Sequence, residues 1–167
     1  MEPLRRRDDL IPGSLSARDA SEFVPEFDEH LAALSNLFHQ YQKHAWVSEQ
    51  VVPEYSDLAR AHCADVLEQL DTVGRTTVAF GGVPLGSPLE HVNRSYLDHE
   101  NEGVYSAEAM VERSLRYEEV LVLRLTITLE AAQDVNAEPV EAALQPLIES
   151  AKRRRDRLHR FLKEQRE

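Results

Sequence analysis

The side chains of this 167-residue sequence that are suited to metal or acid–base chemistry crowd into one stretch. His62, Asp65, Glu68 and Asp71 recur at every third position, and Arg75 follows Asp71 by four. Imidazole and carboxylate donors suit divalent metal ions, so the row invites a metal reading. On a helix, however, nine residues turn through about 900°, which puts His62 and Asp71 on opposite faces. They cannot share an ion within one helix. Asp71 and Arg75, about one turn apart, form a helical ion pair instead. Elsewhere His39, His91, His99 and His159 are scattered without ligand spacing. No Glu-x-x-His pair falls on the second, third or fourth predicted helix, and Glu112, Glu119 and Glu141 read as solvated helix residues. No glycine-rich phosphate loop, nucleophile motif or zinc pattern is present. Cys63 is the single cysteine, which excludes an internal disulfide and reads as a small buried apolar residue.

The apolar spacing supplies four helices to position these groups. Phe27, Leu31, Leu34, Phe38, Tyr41 and Ala45 form one stripe, with Pro25 in the first turn and an end near Trp46. Val51-Val52-Pro53 stops any continuation, because the residue before proline is pushed out of the α region. The second helix is predicted over 54–80. Leu58, Ala61, Ala64, Leu67, Leu70, Val73 and Thr77 form its buried face, and Gly81-Gly82 its cap. Pro84, Gly86 and Pro88 interrupt the chain before a short helix over 89–94. The third helix starts at Ser106, a good N-cap, and runs to about Gln133. Val120 to Leu129 alternates as a strand would, but a lone strand has no partner in this chain, so it is read as helix. The fourth runs from Glu138 to about Lys163, with a kink or restart expected at Pro146. The predicted organisation is a flexible arm over 1–24, an all-α four-helix bundle over 25–163 and a short tail over 164–167.

The stretch from Phe38 to Ser87 also carries a resemblance. A helix ending in Lys43-x-x-Trp46, a break, a long helix and the closing Gly81-Gly82-Val83-Pro84-Leu85-Gly86 make the chain similar to the Dps family. Those are ferritin-like proteins that form hollow shells, store iron and shield DNA. The resemblance implies a ferritin-like four-helix bundle with a short helix between helices 2 and 3. It also implies a homo-oligomer, a dodecamer, with iron as its metal and protection from oxidative stress as its role.

In that family the iron-oxidising site lies between two subunits, and the resemblance carries its ligand positions over one by one. Anchoring on Trp46 puts the first histidine position at Ala45; His44 is one residue off, about 100° around the helix. Counting back from Gly81 puts the late acid pair at Asp71 and Arg75. The early histidine falls at Ser56, or at Ala59 if Tyr55 takes the place of the family's aromatic. The early acid falls at Arg60 or at Cys63. Of five ligands only Asp71 is kept, so Asp71 and the nearby His44 stand as the candidate metal residues. Four substituted positions leave ferroxidase activity open. Arg75, and Arg60 by one count, stand where the family has carboxylates, and the expectation is that a guanidinium takes the place of the metal's charge.

Charge is laid out unevenly. The net charge is −11, yet residues 8–151 hold 8 basic and 26 acidic side chains, a net of −18. The basic residues gather in Arg5 to Arg7 and in Lys152 to Arg166. Arg5, Arg6, Arg7, Arg153, Arg154 and Arg155 are therefore the candidate DNA contacts, expected to bind weakly because the body repels a polyanion. No apolar run approaches the ~18 residues that span a bilayer, so no membrane is expected. No signal-peptide pattern follows Arg5 to Arg7, so the expected location is the cytoplasm. The resulting expectation is a Dps-like shell for intracellular iron sequestration with its usual oxidation site degraded. The alternative is a non-catalytic structural shell that binds DNA or a partner through its basic terminal segments. A 19.0 kDa monomer would point to neither, but to a plain four-helix binding module.

Overall fold

The computed structural model describes residues 15–167, which form five helices. They are α1 (Ala17–Ser48), α2 (Pro53–Ala79), α3 (Pro88–Arg94), α4 (Ala107–Asp134) and α5 (Glu138–Arg166). The four long helices make the bundle. Short turns join α1 to α2 and α4 to α5, so each pair is antiparallel, while a long crossover carrying α3 returns the chain from the end of α2 to the opposite end of the bundle. That return places Ser114 at the start of α4 beside His44 at the end of α1, and Thr128 beside His30 at the other end. The stretch 120–129 is helical, and the short helix expected over 89–94 is α3.

Helices α2, α4 and α5 each bury one stripe at coiled-coil-like spacing, while α1 is buried more widely, with Leu31, Ala32, Ala33 and Leu34 all buried in succession. On α4 the stripe reads Val111, Ser114, Glu118, Leu121, Leu125, Thr128 and Ala132. On α5 it reads Val140, Leu144, Leu147, Ala151, Arg154, Leu158 and Leu162. The helix runs on through Pro146 with no restart, and the proline lies on its exposed side. On α2 the inner stripe is Tyr55, Ala59, His62, Val66, Gln69, Val73 and Thr77. This corrects the predicted face: Leu67 is 54% exposed and Ala61 and Ala64 point outward. The two faces of α2 have similar apolar content. The inner one carries Tyr55 and Gln69, which hydrogen-bond His44 of α1 and Arg154 of α5, together with His62, whose ring nitrogens have no partner among the described residues.

Two boundaries also move. Helix α1 begins at Ala17, where the Ser16 hydroxyl caps it by accepting from the Asp19 amide at 3.0 Å, and Pro25 lies inside it. Phe23, fully buried, extends the stripe backward and accounts for the extra turns. The predicted arm over 1–24 is thus helical from residue 17, and its first 14 residues lie outside the described ones. Val24 packs so closely on the α2 cap that a Cβ on Gly82 would fall 2.6 Å from its methyl, which only glycine avoids. Gly81, at φ +85°, makes the left-handed turn there. At the other terminus α5 continues to Arg166, so the predicted tail over 164–167 is helix up to its last residue. Arg166 is held by Glu108 at 2.8 Å and Glu112 at 3.1 Å.

Candidate functional site

The bundle axis is polar at its middle. Glu118 of α4 faces Arg154 of α5, with Nε 2.7 Å from Oε1 and Nη2 3.0 Å from Oε2. The Tyr41 hydroxyl of α1 donates to the same Oε1 at 2.6 Å. Gln69 of α2 accepts from Arg154 Nη1 at 3.0 Å. Burial works against the guanidinium's charge, but the Glu118 carboxylate outweighs it and raises the Arg154 pKa above its ordinary value. Burial, and then the charge on Glu118, lifts the Tyr41 hydroxyl well above its usual range. His62 lies beside them, its ring edge-on to Tyr41 at 5.1 Å, and neither ring nitrogen has a hydrogen-bond partner among the described residues. Burial first, then the charges of Arg154 and Arg157, hold its pKa down at about 3, so the ring is neutral.

A second cluster closes the end of the bundle where α1 stops. The neutral His44 ring accepts from the Tyr55 hydroxyl through Nδ1 at 2.9 Å and donates through Nε2 to Glu100 at 2.8 Å. Burial lowers its pKa against the pull of Glu100. Lys43 adds a 2.8 Å bond to the other Glu100 oxygen. Burial by itself would raise the Glu100 pKa, but the hydrogen bonds from Lys43 and His44 outweigh it and leave the group below its ordinary value. Glu100 belongs to the crossover, so this cluster pins that segment to α1.

A central polar layer inside four long helices with a crossover is the frame of the ferritin-like bundles. Residues 26–167 match the family model described as the ferritin-like domain. The chain belongs to the ferritin-like family. Within it the similarities are to Dps proteins. The chain is 31% identical over 94 residues to a nutrient stress-induced DNA-binding protein of Nostoc sp., covering 55% of this chain and 50% of the relative. It thus spans about half the length of that relative. Its fold is similar to DpsC from Streptomyces coelicolor, with a TM-score of 0.81 at 19% identity over 86% of each chain. It is equally similar to an archaeal Dps homologue from Halobacterium salinarum, with a TM-score of 0.81 at 20% identity over 87% of this chain and 82% of that one. The Dps resemblance read from Phe38 to Ser87 holds.

The Dps ligand positions can now be located. Ala45 is buried, and the Ser56 hydroxyl donates to its carbonyl at 2.7 Å, joining α2 to α1. Arg60 reaches Glu49 at 2.7 Å. Asp71 and Arg75 form an outward-facing pair at 2.7 Å, with side chains 66% and 80% exposed in the single subunit. The early alternatives fare no better as donors: Ala59 is buried, and the Cys63 thiol is half-buried and pushed up by desolvation. His44 is corrected as a metal candidate, because both its ring nitrogens are engaged and it lies inside the bundle, away from Asp71. Among the described residues of one subunit, no group of three or more His, Cys, Asp or Glu is placed to hold a metal ion.

The remaining candidates divide. Arg5, Arg6 and Arg7 lie outside the described residues. Arg153 is exposed and bonded to Ser150 at 2.7 Å, and Arg155 holds Asp156 at 2.9 Å. Arg154 is corrected as a DNA contact: it sits on the apolar stripe of α5 and is fully buried. Sequence reasoning missed Glu118 and took Arg154 for a surface charge. The available signal was position. Arg154 fills the gap of seven between Ala151 and Leu158 on its stripe, and Glu118 fills the gap between Ser114 and Leu121 on its own. No described helix is long and apolar enough to cross a membrane.

Proposed function

We propose that the chain is the subunit of a Dps-like shell that takes up iron as cargo and limits oxidative stress, with the usual inter-subunit oxidation site given up. The observation that carries the loss is the fate of the two arginines at ligand positions. Arg75, and by one of the two counts Arg60, bring cations where a carboxylate would be needed, and each is already paired, with Asp71 and with Glu49. One paired aspartate does not fit a two-iron centre, which needs several hard oxygen and imidazole donors. Iron uptake is supported by family membership and by the net −18 over residues 8–151, which favours cation accumulation.

Assembly is supported by apolar side chains left uncovered in the single subunit. Trp46 and Leu67 flank a groove of about 360 Å³ between α1 and α2, and Val120, Leu123 and Ile127 line one exposed face of α4. Exposed groupings of this kind mark protein–protein contacts. Twelve subunits is the number the Dps resemblance implies. DNA binding, which the printed name of the Nostoc relative states for that protein, has less support here, since Arg154 is buried and Arg155 is paired.

The test is ferrous oxidation in air against buffer alone, followed by size-exclusion chromatography with iron detection. A particle far above 19.0 kDa that carries iron, with oxidation at the buffer rate, is the expected result. Rapid oxidation would overturn the lost site. A small, iron-free species would overturn the shell.

A further inference from the structure

Helix α4 buries one stripe and leaves the opposite side open. Leu121 and Leu125 belong to the buried stripe, and Leu123, between them, points away from the bundle axis and is 59% exposed. Val120 and Ile127, about one turn to either side, continue the outer row and are also exposed. In the bundle α4 packs on α1 and α5 and stands diagonally across from α2. The row is therefore on a different side of the subunit from the groove beside Trp46.

The charges around the row are ordered about its centre. Arg116 lies seven residues before Leu123 and Glu130 seven after it, each within about 20° of the same line. Both are exposed, and neither has a hydrogen bond or ion pair among the described residues. The charges that border the row are occupied inside the subunit. Arg124 holds Glu29 at 2.6 Å, and Glu119 lies 3.7 Å from the His159 ring.

We propose that this row is a two-fold contact between copies of the chain: α4 of a second copy packs on it antiparallel, with the two Leu123 side chains on the axis and Arg116 of each copy paired with Glu130 of the other. A two-fold contact uses the same patch on both copies and must be complementary to itself. Opposite charges at equal distances from Leu123 meet that condition. The order of signs also sets the direction, because parallel packing would put Arg116 against Arg116 and Glu130 against Glu130. In the antiparallel register Val120 meets Ile127 of the other copy, and Glu119 falls opposite Thr126 rather than another acid. The contact runs along about 21 Å of helix between Arg116 and Glu130. It deepens the assembly reading above, on which it rests for the kind of partner, and it is separate from any contact through the Trp46 groove.

Disulfide trapping tests it. Leu123→Cys is made in the full chain together with Cys63→Ser, and the folded protein is oxidised with a copper catalyst. Two cysteines facing each other across touching helices lie within disulfide reach. The expected result is a covalent dimer on a denaturing gel, and none from Glu149→Cys, an exposed position of α5, in the same background. At low ionic strength, adding Arg116→Glu to Leu123→Cys sets like charges against each other and removes most of the dimer; adding Glu130→Arg as well restores it. If Leu123→Cys links no more than Glu149→Cys, or the double charge exchange links no better than the single one, the proposal fails. Assembly size is read separately by size exclusion. A large particle without the link leaves the shell standing and removes this contact. A species of two linked chains keeps this contact and overturns the shell.

Discussion

The Arg154 guanidinium and the Glu118 carboxylate form a two-point ion pair at the middle of the bundle, 2.7 and 3.0 Å long, with neither side chain touching solvent. Such a pair is held in place less by its own attraction than by the cost of separating it. Removing one member strands the other's charge in the interior. Replacing both with apolar groups of similar volume does not. Glu118→Gln and Arg154→Met are each expected to cost about 3–5 kcal/mol, and the double variant Glu118→Leu with Arg154→Met much less. Denaturant unfolding of the three variants checks this. Additive losses would show that the two residues do not act as a pair.

His62 presents the opposite case. It is buried and unpaired on both nitrogens, so an apolar replacement removes an unmet desolvation penalty of about 1–3 kcal/mol. His62→Leu is expected to raise the unfolding midpoint. A lowered midpoint would mean that the ring has a partner in solution.

Buried histidines also set the acid limb of stability. His30 and His62 are held neutral down to about pH 3 by burial, whereas in the unfolded chain they protonate near 6.5. Depressed folded values give a contribution that is complete above pH 6.5 and is lost as pH falls toward 3, at up to about 1.4 kcal/mol per pH unit for each group. His44 shifts in the same direction. Glu100, also lowered, contributes above its unfolded value of 4.5 and loses that contribution below it. Thermal unfolding across this range should show a steep fall starting near pH 6.5, shallower in His62→Leu. A flat profile would contradict neutral burial.

Asp71 and Arg75 are exposed, so breaking their pair should change stability by no more than about 0.5 kcal/mol. The informative variant is Arg75→Glu, which puts a second carboxylate one turn from Asp71. Ferrous ion binding is expected to rise above wild type in equilibrium dialysis. Unchanged binding would remove support from the idea that Arg75 stands in for the metal's charge.

Leu67→Arg places a charge in the groove beside Trp46. It is expected to shift the assembly to smaller species on size exclusion. An unaltered elution volume would exclude this groove from the subunit contact.

The helices were legible because apolar side chains recur at helical spacing: Phe27, Leu31, Leu34, Tyr41 and Ala45 are all buried as the stripe required. The ends were less so. Pro25 resembles a helix start, but the Ser16 cap and Phe23 carry α1 back by two turns. On α2, counting leucines placed the stripe only in part: Val73 and Thr77 are buried as expected, but Leu67 serves the outside and the inside before them is built around Tyr55, His62 and Gln69. For the same reason the polar centre was hidden. A charge on an apolar stripe looks like a surface residue until its partner on another helix is known, and Glu118 and Arg154 stand 36 positions apart.

Trp46 is the sole tryptophan of the chain and, in the isolated subunit, 65% exposed. Its indole therefore serves as a built-in optical gauge. Emission from the dissociated chain will be red-shifted by water, and any contact that covers the α1–α2 groove will move it to the blue. Subunit association can be followed in real time without a label, by a residue whose neighbours on the sequence, Ala45 and Val47, are packed against the bundle core.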